Sequence, residues 1–285
     1  MGENDLVPWD GGRWPIGGMA AAGLAAGEAF KIAMRKLQHV ARNPGRMVSV
    51  FADTDELTFS VAPADTPFCN ELGNFDCVSG GAIINAALYA LARIPGVSGR
   101  GRIIEPDTSG LSNLNRYMLL LRSQLERSKT HDLAELLSKA LTLEPIAARY
   151  EPDLLNSIAP LAGAVLVGVD DIPTRWAVQR AWPRLLVVGA TTHWSAMASF
   201  HTEGLGCAQC LHAEDDPSDA PIPTVAFVSF WAGLLAAAYF LRHAAGQMVP
   251  PSDQQIYLTP LRAEHPYRAN VPVRTDCPTC LAKAA

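Results

Sequence analysis

The chain alternates short apolar runs with longer alanine-rich or amphipathic stretches. Residues 17–37 (GGMAAAGLAAGEAFKIAMRKL) are rich in Ala, Met and Lys and predict a helix. Residues 48–61 carry strand-like pieces, and Pro63, Pro67 and the NELGN of residues 70–74 punctuate the chain after them. A regular order then sets in. Residues 75–78 form a short apolar strand, two glycines follow, and 82–93 reads as an alanine-rich helix. RIIE at 102–105 predicts a second strand, followed by helices over 116–125 and 129–141. AVLVGV at 164–169 is apolar throughout, as expected of a strand buried on both faces. A helix over 174–182 and the strand LLVV at 185–188 continue the series. Strands alternating with helices predict an α/β fold: a Rossmann-like, mostly parallel sheet flanked by helices, with right-handed crossovers. Ligands of such sheets bind beyond the carboxyl ends of the strands.

Residues 225–241 (VAFVSFWAGLLAAAYFL) carry no charge over 17 positions, the short limit for a membrane span. Ser229 and Gly233 interrupt the run and Arg242-His243 follow it. Within an otherwise α/β pattern, this predicts a buried core helix and no membrane partner. Composition agrees: 285 residues, 49% hydrophobic and 18% charged, describe a chain that builds a sizeable core. A net charge of −5 offers no basic surplus for nucleic acid. The opening MGENDLVPWDGGRW lacks the charged-then-apolar layout of a signal peptide, so a cytoplasmic location is expected.

Four of the six cysteines form two CxxC pairs, Cys207/Cys210 and Cys277/Cys280, with 66 residues between the pairs. Two such pairs supply the four thiolates of a tetrahedral structural zinc site, here clipping distant segments together. Cys77 ends an apolar strand and reads as a small core residue, and Cys69 lies in a loop.

Two polar constellations lie where strands end. EPDTSGLSNLNRY (105–117) begins with Glu105 and Asp107, acids placed to accept hydrogen bonds from ribose hydroxyls. Asn113, Asn115 and Arg116 supply donors for phosphate oxygens, and Lys129 follows Arg116 by 13 residues. The alternative reading is a polar loop leading into a helix. GVDDIPTRWAVQ (168–179) follows the third strand; Asp170 reads as a hard ligand for Mg²⁺ or as the cap of the next helix.

Taken together, these stretches resemble the ubiquitin-activating, E1-like superfamily that includes the bacterial sulfur-carrier adenylyltransferases. The match is acid-x-acid (Glu105-Pro106-Asp107), then Ser112-Asn113-Leu114-Asn115-Arg116, then Lys129, and Asp170-Asp171 with Thr174-Arg175. It runs from about residue 75 to Cys280 in family order, the long-gap cysteine pairs included. The resemblance implies ATP and Mg²⁺ as cofactors beside a structural zinc. Gly80 and Gly81 would lie under the phosphates and Glu105 would hold the ribose. Asn113, Arg116 and Lys129 would contact the triphosphate, and Asp170 the magnesium. It further implies a homodimer, a ubiquitin-like or sulfur-carrier protein as substrate, and an E2-like or sulfurtransferase protein as further partner. Residues 67–285 would be the adenylation domain. Residues 1–66 would be a helical extension, with 17–37 resembling the helix between the inactive and active halves of larger two-part relatives.

The sequence departs from the family in three places. The glycine loop reads Ser79-Gly80-Gly81-Ala82-Ile83-Ile84-Asn85, so Ser79 and Ile84 stand at two of the three family glycines. Ile84 raises a packing question. Ser79 matters if its position needs a positive φ. The loop after the first cysteine pair, 211–224, has no cysteine, so the expected chemistry stops at the acyl-adenylate. Arg13 is the candidate for the arginine that some relatives send to the partner's γ-phosphate. The expected function is ATP-dependent adenylation of a protein's C-terminal carboxylate. The competing expectation is a degenerate E1-like subunit that binds a ubiquitin-like or E2-like partner as a scaffold. A dinucleotide oxidoreductase explains the glycine loop alone.

Overall fold

The protein is described by a computed structural model over residues 14–37, 66–151, 153–154, 157–214, 225–247, 249–261 and 266–284. The strand-like pieces at 48–61, Arg13 and most of the 211–224 loop lie outside the described residues.

The elements in chain order are α1 (Ile16–Lys36), β1 (Glu71–Val78), α2 (Ala82–Leu91), β2 (Ser98–Ile104), α3 (Lys129–Leu137) and β3 (Thr142–Ile146). Then come β4 (Ala164–Val167), α4 (Ile172–Arg180), β5 (Leu185–Thr192), β6 (Ser195–His201) and α5 (Ala208–Leu211). The chain ends with α6 (Ala226–Ala244), β7 (Gln255–Leu258), β8 (Tyr267–Ala269) and α7 (Pro278–Ala284). Among the described residues, eight strands join one sheet in the order β3-β2-β1-β4-β5-β6-β7-β8. The first five in that order are parallel, and β6, β7 and β8 add antiparallel. The order reverses between β1 and β4, and ligands of open α/β sheets bind at such a switch point.

Alternation along the strands feeds two cores. Phe75, Cys77, Leu166 and Val187 point into the layer of α1, α2 and α6. Val78, Val165, Val167, Leu186 and Val188 pack on the other face, with Val178 of α4. Helix α6 is long and apolar enough to cross a membrane, but its hydrophobic window is 83% buried within the fold. Helix α1 presents Ile16, Ala20, Gly23, Gly27 and Lys31 as a buried stripe. A Cβ at Gly23 would lie 2.8 Å from Trp231 Nε1 of α6, so glycine permits that approach.

Three elements differ from the sequence reading. NELGN is not a break, because β1 begins at Glu71 and absorbs the turn character as a register shift between Glu71 and Asn74, with Gly73 at φ 66°. Residues 116–125 are not an α-helix. They form irregular turns after the short 3₁₀ segment Leu111–Asn113 and include a second one, Arg122–Gln124. Side-chain bonds compete with the helix there: the Leu121 amide donates to Gln124 Oε1 and the Leu119 amide to Asn85 Oδ1. The antiparallel strands β6–β8 extend a sheet that the sequence reading ended at β5.

Ile84, at the third glycine position of the resemblance, is accommodated by Gly168 opposite, and its neighbour Ile83 by Gly189. A Cβ at Gly168 would meet Ile84 Cγ1 at 2.9 Å, and one at Gly189 would meet Ile83 Cγ2 at 2.6 Å. The bulk lost from one side of the helix–strand contact stands on the other. Gly168→Ala is therefore expected to destabilise the protein by about 1–3 kcal/mol by overpacking. Denaturant unfolding checks this, and a stability equal to wild type would show that Ile84 has room to shift.

Candidate active site

One cavity of about 480 Å³ opens at the carboxyl ends of the strands, over the switch point. Its lining includes Ser79 and Gly81 from the loop after β1, Glu105 and Asp107 after β2, and Arg116, Tyr117 and Lys129 from the crossover. Asp170, Asp171 and Arg175 close it after β4. Sequence segments far apart thus bring Arg116, Lys129 and Asp170 to one space.

The glycine loop is held from within. Ser79 has φ 120°, so the position does require the conformation that glycine adopts most readily. Its Oγ accepts the Gly81 amide at 2.9 Å, and Glu105 Oε2 accepts the Gly80 amide at 2.8 Å. Glu105 Oε1 accepts the Asp107 amide at 3.2 Å. Both carboxylate oxygens, assigned to ribose by the resemblance, thus already serve backbone amides. Asn85, buried at the second turn of α2, donates to Gly80 O and Gly81 O and accepts the Leu119 amide. It ties the loop to the crossover segment.

Lys129 opens α3 and is almost enclosed. Its Nζ lies 3.0 Å from Asp107 Oδ2 and 3.8 Å from Glu105 Oε1. Burial works against its charge, but Tyr117, Glu105 and Asp107 outweigh burial and hold its pKa above the ordinary value. Arg116 donates to Ser112 O and Asn115 Oδ1 and is only partly buried. Asn113 does not line the cavity; its Oδ1 accepts the Gly110 amide at 2.8 Å and closes the 3₁₀ turn. Gly80 lines a much smaller adjoining space with Asn85 and Asp132. Tyr117 escaped the sequence reading, which stopped at Arg116. Its hydroxyl lies 3.7 Å from where a Cβ at position 81 would sit.

After β4 the two acids divide their roles. Asp171, not Asp170, caps α4 through an Oδ2 bond from the Thr174 amide at 2.7 Å. Asp170 stays exposed at the cavity wall. Arg175 is buried, with Nε and Nη2 donating to Val169 O and Nη1 3.2 Å from His212 Nε2. Burial lowers the pKa of Arg175, and burial followed by Arg175 itself lowers that of His212 to about 4, so the imidazole is neutral at pH 7.

His212 leads to the cysteine cluster. The four sulfurs of Cys207, Cys210, Cys277 and Cys280 lie within 4.8 Å of one another, with neighbouring separations of 3.4–3.6 Å. Zinc–sulfur bonds of about 2.3 Å place tetrahedral sulfurs roughly 3.8 Å apart, so the set fits one zinc. The Arg274 amide points at Cys210 Sγ, and burial opposes but does not prevent a lowered thiol pKa there. Around the cluster, Gln209 accepts from Thr279 Oγ1, and the Ala208 amide donates to Gln179 Oε1 of α4. The clip thus reaches the helix that carries Arg175.

No family profile matches the sequence. An uncharacterized protein of Sinorhizobium fredii (strain NBRC 101917 / NGR234), y4jF, is 29% identical over 216 residues, which cover 74% of this chain and 41% of that protein. The chain therefore spans about two fifths of the length of this curated relative. Among solved structures, E. coli MccB with ATP aligns at TM-score 0.60 and 20% identity, over 73% of this chain and 66% of MccB. The Microcin C7 biosynthetic enzyme MccB in complex with N-formylated MccA aligns at TM-score 0.62 and 19% identity, over 73% and 67% of the two chains. At this identity the likeness is one of fold.

Proposed function

We propose that this chain is an E1-like adenylyltransferase that activates the C-terminal carboxylate of a peptide or of a small ubiquitin-like or sulfur-carrier protein. The carrying observation is the convergence of Arg116, Lys129 and Asp170 on one cavity at the switch point. MccB, which has this fold, has been solved with ATP and with N-formylated MccA, and that supports a nucleotide and a peptide sharing such a site.

In this reading the substrate carboxylate attacks the α-phosphorus of ATP. A new oxygen–phosphorus bond forms, the bond to the bridging oxygen breaks, and pyrophosphate leaves with its electrons. No side-chain base is needed, because the nucleophile is already ionised. Lys129 and Arg116 place positive charge beside the phosphates, and the Gly81 segment sets their path. Asp170, left unused by the helix cap, fits a magnesium ion through a hard oxygen. That ion, when bound, would neutralise phosphate charge.

ATP–pyrophosphate exchange in the presence of a carrier peptide tests the reading. Asp170→Ala is expected to lower exchange by about 100-fold with little change in melting temperature. Exchange at the wild-type rate would overturn the role of Asp170.

A binding scaffold is favoured by one observation: Ser79 and Glu105 already occupy the Gly81 and Gly80 amides. Ser79→Gly separates the readings. It relieves the positive φ and releases the Gly81 amide, so an adenylating enzyme is expected to bind Mg·AMPCPP several-fold more tightly by calorimetry. No nucleotide binding by either wild type or variant would support the scaffold.

A further inference from the structure

Both glycine amides of the loop after β1 are already bonded within the protein. Glu105 Oε2 accepts the Gly80 amide at 2.8 Å, and Ser79 Oγ accepts the Gly81 amide at 2.9 Å. Ser79 does not offer its own hydrogen in exchange, because its hydroxyl faces Glu105 Oε2 at 3.5 Å. Arg116, on the crossover, turns to Ser112 O and Asn115 Oδ1. Under the adenylation reading, on which this inference rests, a phosphate arriving at the N-terminus of α2 meets a cradle without its Gly80 and Gly81 donors.

Tyr117 stands where those donors are missing. A Cβ at Gly81 would lie 3.7 Å from the Tyr117 hydroxyl and 3.1 Å from Ser79 Oγ, so both hydroxyls flank the same face of that glycine. Tyr117 and Gly81 line the main cavity together. The loop itself fixes this placement. Asn85 donates to Gly80 O and Gly81 O and accepts the Leu119 amide at 3.3 Å, so one side chain holds both the glycine loop and the segment that carries Tyr117. The Tyr117 amide donates to Asn113 O at 3.0 Å. The Lys129 ammonium lies 5.9 Å from the ring centre and acts on the hydroxyl by charge and by hydrogen bond. An ammonium only donates, so the tyrosine oxygen is the acceptor there and its own hydrogen remains for a further partner. Burial, the largest influence, keeps the pKa of this phenol above its ordinary value, so that hydrogen is present at neutral pH.

We infer that the Tyr117 hydroxyl replaces the Gly81 amide as a hydrogen-bond donor to a phosphate oxygen of the bound nucleotide. Ser79 withdraws the backbone donor, and Tyr117, reaching in from the crossover, supplies a side-chain donor at the same place. The amides that open α2 remain beside it, so loss of the hydroxyl weakens binding without abolishing it. The substitution carries a signature. Hydroxyl and amide are alternatives, so each matters most when the other is withheld.

Calorimetry with Mg·AMPCPP on the full chain tests this in four proteins: wild type, Tyr117→Phe, Ser79→Gly and the double variant. Tyr117→Phe is expected to weaken binding at least about tenfold, the scale of one hydrogen bond to a charged acceptor, with the melting temperature unchanged. In the Ser79→Gly background, where the Gly81 amide is released, the same change is expected to cost no more than about threefold. A hydroxyl that served only to hold Lys129 would cost the same in both backgrounds, because a freed amide does not reposition an ammonium. Losses of similar size in the two backgrounds, no loss in Tyr117→Phe, or binding by Ser79→Gly with none by wild type would each overturn the inference. No binding by either wild type or Ser79→Gly would instead overturn the adenylation reading beneath it.

Discussion

Replacing Cys277 by serine is expected to lower the apparent melting temperature by about 10–20 °C. Cys277 is fully buried, 3.4 Å from the Cys207 sulfur, and it precedes α7 at the end of the chain. Besides the sulfurs, the Thr279–Gln209 hydrogen bond joins the two segments that carry the cysteine pairs. Val271, Trp182 and Leu211 are the apolar groups packed with them. Complete structural zinc sites contribute roughly 10–16 kcal/mol in small domains, and loss of one of four ligands forfeits a large part. Here the rest of the fold has its own cores, so the expected loss is on the order of 5 kcal/mol. Chelation of wild-type protein should give a similar shift, reversed by added zinc, and acid should release the metal as protons compete for the thiolates. The effect should also reach the cavity. Gln179 and His212 connect the clip to α4 and Arg175, so nucleotide affinity is expected to fall with zinc content. Differential scanning fluorimetry with metal analysis checks both. A Cys277→Ser protein that melts with the wild type would show that the sulfurs hold no stabilising ion.

How far the sequence carried this site depends on the kind of signal each part leaves. The parallel strands were legible because burial on both faces leaves unbroken apolar runs, as in AVLV at Ala164–Val167. The cysteine set was legible because spacing alone brings thiolates together. The run MLLLRSQL after Tyr117 misled because its leucines have helical composition, while Asn85 and Gln124 draw the backbone into turns. No local pattern announces such a bond between positions 34 residues apart. Strands β6 and β7 hide for another reason: Ser199, His201, Gln254 and Gln255 are polar yet buried, paired through His201 to Gly206 O and Ser199, and through Gln254 to Gly206 O. The glycine loop shows both outcomes. The question of a positive φ at Ser79 was visible in the motif. The solution at Ile84, with Gly168 opposite, exists only once the sheet brings that glycine near α2.

Replacing Lys129 by methionine is expected to lower ATP–pyrophosphate exchange by about 10²–10³-fold, the scale of one preorganised charge at a developing anion. The side chain is nearly enclosed by Glu105, Asp107 and Tyr117, so its ammonium is already in place before a phosphate arrives. Its raised pKa, above the ordinary 10.5, keeps it charged throughout the neutral range. Any stability it contributes through that shift is present below the unfolded value and disappears only as pH rises through the higher folded one. The rate–pH profile of the wild type should therefore show no alkaline fall from this group below about pH 10. Methionine matches the length of the stem but leaves Glu105, 8% exposed, with its cation removed. Part of the measured loss is then a disturbed Glu105–Gly80 contact rather than missing charge on the substrate. Lys129→Arg separates the two, because it keeps the charge while the wider guanidinium must displace Asp107 or Tyr117. If charge dominates, the arginine variant recovers at least about tenfold over methionine. If the loop geometry dominates, arginine and methionine lose activity alike, and Mg·AMPCPP affinity falls in both by the same factor.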